Sequence, residues 1–161
     1  MNLDWIVAHT RPRCEKKLAQ YCEREGFPVT LPCFRTVHKY RGKTMEFLKP
    51  LFPGYVFVRL LQDQRPKVYQ SDYVANLLVV TDQALFEQQL NDILRALETN
   101  LEVRLAPEIK TGCHVKIKTG PLRGIEGWVE KRSGTVKVML RLDFISQAAA
   151  IKMEADNLEL I

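Results

Sequence analysis

The sequence predicts an α+β protein in two parts: an antiparallel sheet packed with helices over residues 1–100, and a small β-barrel over residues 111–161. Three observations predict it. In the first part, β-branched and aromatic runs interleave with apolar stripes at helical spacing. After Thr111 the texture changes to short alternating runs separated by turn residues. Between the two, residues 101–110 hold Pro107 and no clear period, and read as a linker. A chain of 161 residues suits one or two domains.

Trp5-Ile6-Val7-Ala8-His9-Thr10 is β-branched and aromatic, and reads as a strand. Arg11-Pro12-Arg13 breaks it, and Pro12 suits the first turn of a following helix. From Arg13 to Glu25, the apolar Cys14, Leu18, Tyr21 and Cys22 form a helical stripe. Gly26 follows as the residue just past the helix end. The outward positions carry Arg13, Lys16, Lys17 and Arg24, a basic face. Phe27 to Tyr40 reads as extended chain, Arg41-Gly42-Lys43 as a hairpin tip, and Thr44 to Leu48 as the return. Gly54 to Leu60 is a strand, aromatic and β-branched. Asp63 to Ser71, with Pro66 near its start, reads as a short helix, and Val74 to Val80 as a further strand. Thr81 or Asp82 caps a third helix, Ala84 to Thr99, whose Phe86, Leu90, Ile93, Leu94 and Leu97 repeat with helical period.

In the last part Val115 and Ile117 alternate, and Ile125, Trp128 and Val129 follow a glycine-rich turn. Val136, Val138, Leu140 and Leu142 alternate strictly, and Ile151, Met153, Leu158 and Leu160 finish the chain. Short alternating strands with regular turns make a small barrel. Gly120 and Pro121 turn the chain out of a strand, and Gly124 permits a positive φ. Gly127 inside the next strand predicts a bend or bulge. Ser146-Gln147-Ala148-Ala149-Ala150 has helix propensity and conflicts with a strand there.

The net charge is +5, and it is concentrated. Residues 11–49 hold ten Lys/Arg and four Glu, a local net of +6. Such a segment suits a polyanion such as nucleic acid; it equally describes a solvated basic surface. No apolar run approaches the roughly 20 residues of a spanning helix. Met1-Asn2-Leu3-Asp4-Trp5 lacks a basic stretch leading into an apolar one, so no signal peptide is read and a cytoplasmic protein is expected. The four cysteines form no C-x-x-C pair, and reduced thiols are expected. Cys14 and Cys22 share a helix face with Leu18 and read as small buried hydrophobes. Only Cys113-His114 looks metal-like, and one such pair cannot fill a tetrahedral site. No metal and no cofactor are expected. Asp4, Glu15, Glu46, Asp63 and Asp72 are scattered, with no acid–base constellation, so an enzyme is not expected.

Two segments are distinctive. Val115-Lys116-Ile117-Lys118-Thr119-Gly120-Pro121-Leu122-Arg123-Gly124-Ile125-Glu126-Gly127-Trp128-Val129 resembles the KOW motif. Leu51-Phe52-Pro53-Gly54-Tyr55-Val56-Phe57-Val58 resembles the F-P-G-Y-V-x-V segment of the NGN domain. In this order, and over essentially the whole chain, they resemble the NusG/RfaH family of transcription elongation and antitermination factors. The resemblance implies an NGN-like first domain and an SH3-like KOW barrel. It implies a non-enzymatic factor that binds RNA polymerase through the first domain. The KOW domain would recruit a second partner, either Rho or a ribosomal protein. Carried over position by position, the polymerase contact falls on Leu51, Phe52, Pro53, Gly54, Tyr55 and Phe57.

Along a strand Tyr55 and Phe57 point one way, and Val56 and Val58 the other. If the valines face the helices, the aromatics face out as an interface patch; the alternative is that both faces are buried. In RfaH-like members, basic residues after the first strand and on the first helix contact the displaced non-template DNA strand. Arg11, Lys17 and Arg24 fall at such positions, with Arg13 and Lys16 as neighbours.

Tyr73-Val74-Ala75-Asn76-Leu77 departs from the Arg-Val-x-Gly-Phe of general NusG, and the opening residues 5–13 look more like the specialised paralogues. A specialised, operon-directed antiterminator is expected, acting as a monomer. RfaH hides its polymerase surface under a helical form of its C-terminal domain. Here the strict alternation of residues 136–142 argues for the barrel, while Ala148-Ala149-Ala150 leaves a helical alternative open. The competing reading is a ribosome- or RNA-associated KOW protein without polymerase contact. It accounts for the charge and the barrel, and leaves residues 51–58 unexplained as a patch.

Overall fold

The computed structural model describes residues 3–107, 112–130 and 134–161. The chain divides into two compact units, residues 1–85 and 86–161.

The first unit is built on an antiparallel sheet of β1 (Asp4–Thr10), β2 (Val29–Thr30), β5 (Tyr55–Leu60) and β6 (Val74–Val79), in the order β2-β5-β1-β6. Helices α1 (Glu15–Arg24) and α2 (Arg65–Tyr69) supply the apolar surface that the sheet needs. Ile6, Ala8, Val56, Val58 and Leu60 from the strands pack with Leu18 and Cys22 of α1 and Val68 of α2. Burying a large aliphatic side chain of this kind stabilises the fold by about 1.5–3 kcal/mol.

Helix α1 starts later than its apolar stripe predicts. Arg13 adopts a left-handed backbone, φ 61°, and the Cys14 amide donates to the Arg11 carbonyl at 3.2 Å. This turn takes up Pro12 and Arg13, so the helix begins at Glu15. Cys22 is buried on the inner face as expected, while Cys14 is only half-buried at the N-cap. Asp82 caps α3 (Gln83–Leu97), accepting from the Leu85 amide at 3.0 Å.

The hairpin forms where its tip residues predict it. β3 (Cys33–Tyr40) and β4 (Lys43–Pro50) pair in an unbroken ladder from Cys33↔Pro50 to Tyr40↔Lys43. Arg41 (φ 49°) and Gly42 (φ 77°) are the two central residues, and positive φ at both matches the right-handed strand twist. The pair forms a sheet of its own, exposed at every residue from 37 to 49.

In the second unit β7 (Val103–Pro107), β8 (Cys113–Ile117), β9 (Glu126–Val129), β10 (Thr135–Leu142), β11 (Gln147–Glu154) and β12 (Leu158–Leu160) form one antiparallel sheet. Its order, β12-β8-β9-β10-β11-β7, fits a small barrel. Two expectations change here, the linker and the Gly127 bulge. Residues 103–107, expected as linker, are a strand paired with β11, with Val103 and Ala106 buried; Pro107 is tolerated because it sits at the last pair of an edge strand. Residues 108–110 of that expected linker, and Thr111, lie outside the described residues. The alanine run is strand: Ala148, Ala149 and Ala150 are buried in ladders with β10 on one side and β7 on the other, and this pairing outweighs helix propensity.

Gly127 makes no bulge. It sits in an unshifted ladder opposite Val115, and a Cβ there would lie 2.5 Å from Val138 Cγ1. Close packing against β10 is what requires glycine at this position.

The first-domain boundary expected at residue 100 also differs from the compact division, which falls inside α3. From Phe86 onward this helix has partners in the second unit. Phe86 meets Phe144 edge to face at 6.4 Å. Gln89 donates to Asp143 Oδ2 and accepts from the Asp143 amide, both at 3.0 Å.

Candidate functional site

The 51–54 segment is a turn held at both ends. The Leu51 amide donates to the Pro32 carbonyl, and the Thr10 amide to the Gly54 carbonyl, both at 2.8 Å. Gly54 takes φ +86°, a conformation that costs a side-chain-bearing residue. The turn folds Phe52 back onto Phe57, ring centroids 6.3 Å apart.

This corrects the expected exposed aromatic patch. Val56 and Val58 do face the helices, and the alternation is as read. Yet Leu51, Phe52 and Phe57 are 0%, 1% and 0% exposed. They belong to the core. Pro53 is exposed and Tyr55 half-buried. The antiparallel register places Tyr55 beside His9 and His9 beside Asn76 in one row across β5, β1 and β6. The next row is Phe57, Val7 and Leu78, of which only Leu78 reaches solvent, 38% exposed. The surface that remains is thus Tyr55, His9, Asn76 and Leu78. Tyr69 supports it: its hydroxyl donates to Asn76 Oδ1 at 3.4 Å and accepts from the Leu77 amide at 3.0 Å. His9 and Asn76 carry no motif. Only the strand register, which the sequence does not display, puts them beside Tyr55.

The predicted basic residues separate into two groups. Arg11, Arg13, Lys17 and Arg24 are exposed. Lys17 and Arg24 lie two helical turns apart on one side of α1, about 10 Å by helical rise. Glu25, their neighbour, is held by Lys67 at 2.9 Å, and this hydrogen-bonded pairing raises the pKa of the lysine. Lys16 is differently engaged: its ammonium donates to the Leu48 carbonyl at 2.7 Å, tying α1 to the hairpin.

The hairpin is the part that residue-by-residue reading missed. Half of the ten cations in residues 11–49 are on it: Arg35, Lys39, Arg41, Lys43 and Lys49. They share the ribbon with exposed Val37, Tyr40, Met45, Phe47 and Leu48. The local charge count pointed there; no motif did.

In the second unit the 118–125 turn is closed by its own backbone. The Gly124 amide donates to the Ile117 carbonyl at 2.8 Å, and the Ile117 amide to the Ile125 carbonyl at 2.9 Å. Gly120 (φ +87°) and Gly124 (φ +92°) supply the left-handed positions. Leu122 plugs the turn from inside, 1% exposed, leaving Pro121 and Arg123 outward. Cys113 and His114 gather no further ligands: among the described residues no three His, Cys, Asp or Glu side chains could hold a metal ion. Among them, too, no helix is long and apolar enough to cross a membrane.

Comparison with known proteins bears on these surfaces. The family model described as "Transcription termination factor nusG" matches residues 3–100. The chain belongs to the NusG family. Among curated relatives, the "Transcription termination/antitermination protein NusG" of Staphylococcus aureus strain Mu50 is 25% identical over 172 aligned residues, covering 96% of this chain and 94% of the relative. The protein of the same name from strain N315 matches to the same extent. Among solved structures, a chain described as "Crystal Structure of MjSpt4:Spt5 complex conformation B" aligns with 98% of this chain at a TM-score of 0.34 and 16% identity, a likeness that carries no argument. The NusG match spans the Tyr55 surface, the basic helix and the hairpin. The relatives extend over both units.

Proposed function

We propose that this chain is a non-enzymatic transcription elongation and antitermination factor that binds RNA polymerase through its first unit. The observation that carries the reading is the family match over residues 3–100, which contains the 51–58 segment and the basic helix. In this reading the polymerase contact is made by Tyr55, His9, Asn76 and Leu78. Leu51, Phe52 and Phe57 act from beneath, with Pro53 and Gly54, by fixing the strand that presents Tyr55.

Arg11, Arg13, Lys17 and Arg24 take the phosphates of the displaced non-template strand, while Lys16 holds the hairpin beside them. Phosphate contacts position the factor and make its affinity salt-dependent; base contacts add any choice of sequence. A specialised, operon-directed role rests on such a choice. The second unit acts as an SH3-like KOW module, with the Gly120–Gly127 motif shaping one end. It recruits Rho or a ribosomal protein.

The test is binding of the purified chain to cognate core RNA polymerase, wild type against Tyr55→Ala with His9→Ala. Loss of binding by a folded variant is the expected result. Undiminished binding by that variant overturns the placement of the contact, and no binding by the wild type or by residues 1–100 overturns the polymerase reading.

A further inference from the structure

We infer that the face formed by β10, β11 and β7 is a docking groove for an extended acidic peptide with aliphatic anchors. The inference rests on the proposal that the second unit recruits a partner, and it gives that partner a chemistry. A groove of about 370 Å³ opens on this face. Its floor is Met139, Ala150 and Ala106, only 9%, 8% and 7% exposed. The register sets Met139 opposite Ala150, and Ala150 opposite Arg104, in one row across the three strands. Two alanines on a sheet face leave room above them that larger side chains would fill, and the floor they make is apolar.

The rim is cationic. Lys137 and Lys152 are directly opposed on β10 and β11. Like charges at that spacing repel, and among the described residues no ion pair relieves either lysine. The third cation, Arg104, is held by Glu102 at 3.5 Å, the one acid on the rim. Three cations against one acid leave a net of +2 around an apolar floor. An anionic group between the two ammoniums would remove their repulsion, while an aliphatic side chain covered the alanines.

A peptide suits this arrangement better than a nucleic acid. Trp128 of β9, which packs against the apolar residues of this face, already stacks on the His114 ring, at 4.6 Å, and meets the Arg141 guanidinium at 4.0 Å. This ring is already engaged by two protein partners, which makes it a poorer stacking platform for a base. β7 is the terminal strand of the sheet, so an extended chain can also lie along its outer edge.

The test uses the ¹⁵N-labelled full chain titrated with a short peptide of alternating glutamate and leucine. The same peptide with lysine for glutamate, and oligothymidylate, serve as comparisons. Saturable binding is expected, with amide shifts centred on Ala106, Lys137, Met139 and Ala150. Lys137→Glu with Lys152→Glu changes exposed positions only, and should weaken binding by about tenfold or more. Ala150→Leu, which fills the groove, should do the same by a different route. Shifts centred elsewhere, equal binding of the lysine peptide, equal affinity of the glutamate variant, or tighter oligothymidylate binding on this face each overturn the inference. Purified Rho and ribosomal proteins separate it from its parent reading. If they bind the glutamate variant as well as wild type, the groove fails and partner recruitment stands; if they bind neither, recruitment fails, and the peptide titration still decides the groove.

Discussion

His9 and Tyr55 stack across β1 and β5, with ring centroids 5.3 Å apart and planes 30° apart. In the next row on the same face, Phe57 is completely buried. Two aromatics on one face of one strand therefore have different duties. Tyr55→Ala should cost about 1 kcal/mol of folding stability, the scale of one aromatic pair, and should remove polymerase binding. Phe57→Ala should cost about 3–5 kcal/mol, because it empties a packed site. Urea unfolding of the two variants beside the wild type measures this difference. Equal costs would mean that Tyr55 is also core and that the proposed polymerase contact lies elsewhere.

Gly127 should resist any side chain. The Val138 methyl would be 2.5 Å from an added Cβ and the Met139 carbonyl 3.0 Å. Gly127→Ala should destabilise the chain by about 1–3 kcal/mol, the usual range for overpacking. Val138→Ala removes the nearer obstacle, so the double variant should be more stable than the sum of the single costs predicts. Gly124 is a contrasting case, since nothing lies within 4 Å of its Cβ position and only its φ of +92° opposes substitution. Gly124→Asn, which tolerates positive φ, should therefore cost less than Gly127→Asn in thermal unfolding.

The elements that were legible in the sequence are those with a local cause. The stripe at Leu18 and Cys22, the Arg41-Gly42 tip and the Asp82 cap are all decided within a few residues. The strand at residues 55–60 and its alternation were legible for the same reason. The burial of Phe57 was not, because alternation tells which side a residue takes and not what lies there. Here Phe52, folded back by the turn, lies there. His9 and Asn76 were missed because only pairing between distant strands brings them to Tyr55. β7 was missed because proline and a lack of period mark linkers and edge strands alike. The small alanines of β11 have a strand's burial without a strand's composition.

The basic helix and the hairpin should differ in salt dependence if only the first meets the displaced strand. Lys17→Glu with Arg24→Glu should weaken binding to a single-stranded oligonucleotide. It should also flatten the dependence of log K on log salt by about 1 for each phosphate that the variant no longer neutralises. Lys39→Glu with Lys43→Glu, on the exposed ribbon, is the comparison. A larger change of slope for the hairpin pair would move the proposed nucleic-acid site from α1 to the ribbon, where Tyr40 and Phe47 also offer exposed rings.

Cys22 makes stability fall at alkaline pH. Burial pushes its thiol up to about 11, from an ordinary value of 9.0. The folded chain therefore holds this proton more tightly than the unfolded chain does. Below the unfolded value the thiol is protonated in both states, and its full contribution is present. As pH rises past about 9 the unfolded chain releases the proton first, and stability is lost progressively until the folded thiol titrates near 11. Urea midpoints measured across this window should fall with pH in the wild type. Cys22→Ala should lower stability at neutral pH and flatten that part of the decline. The same burial predicts slow alkylation: in the native chain at mildly alkaline pH, the half-buried Cys14 should react with iodoacetamide well before Cys22. Rapid modification of Cys22 under native conditions would mean that α1 opens from the sheet, and would predict a similarly weak protection of the Leu18 amide from hydrogen exchange.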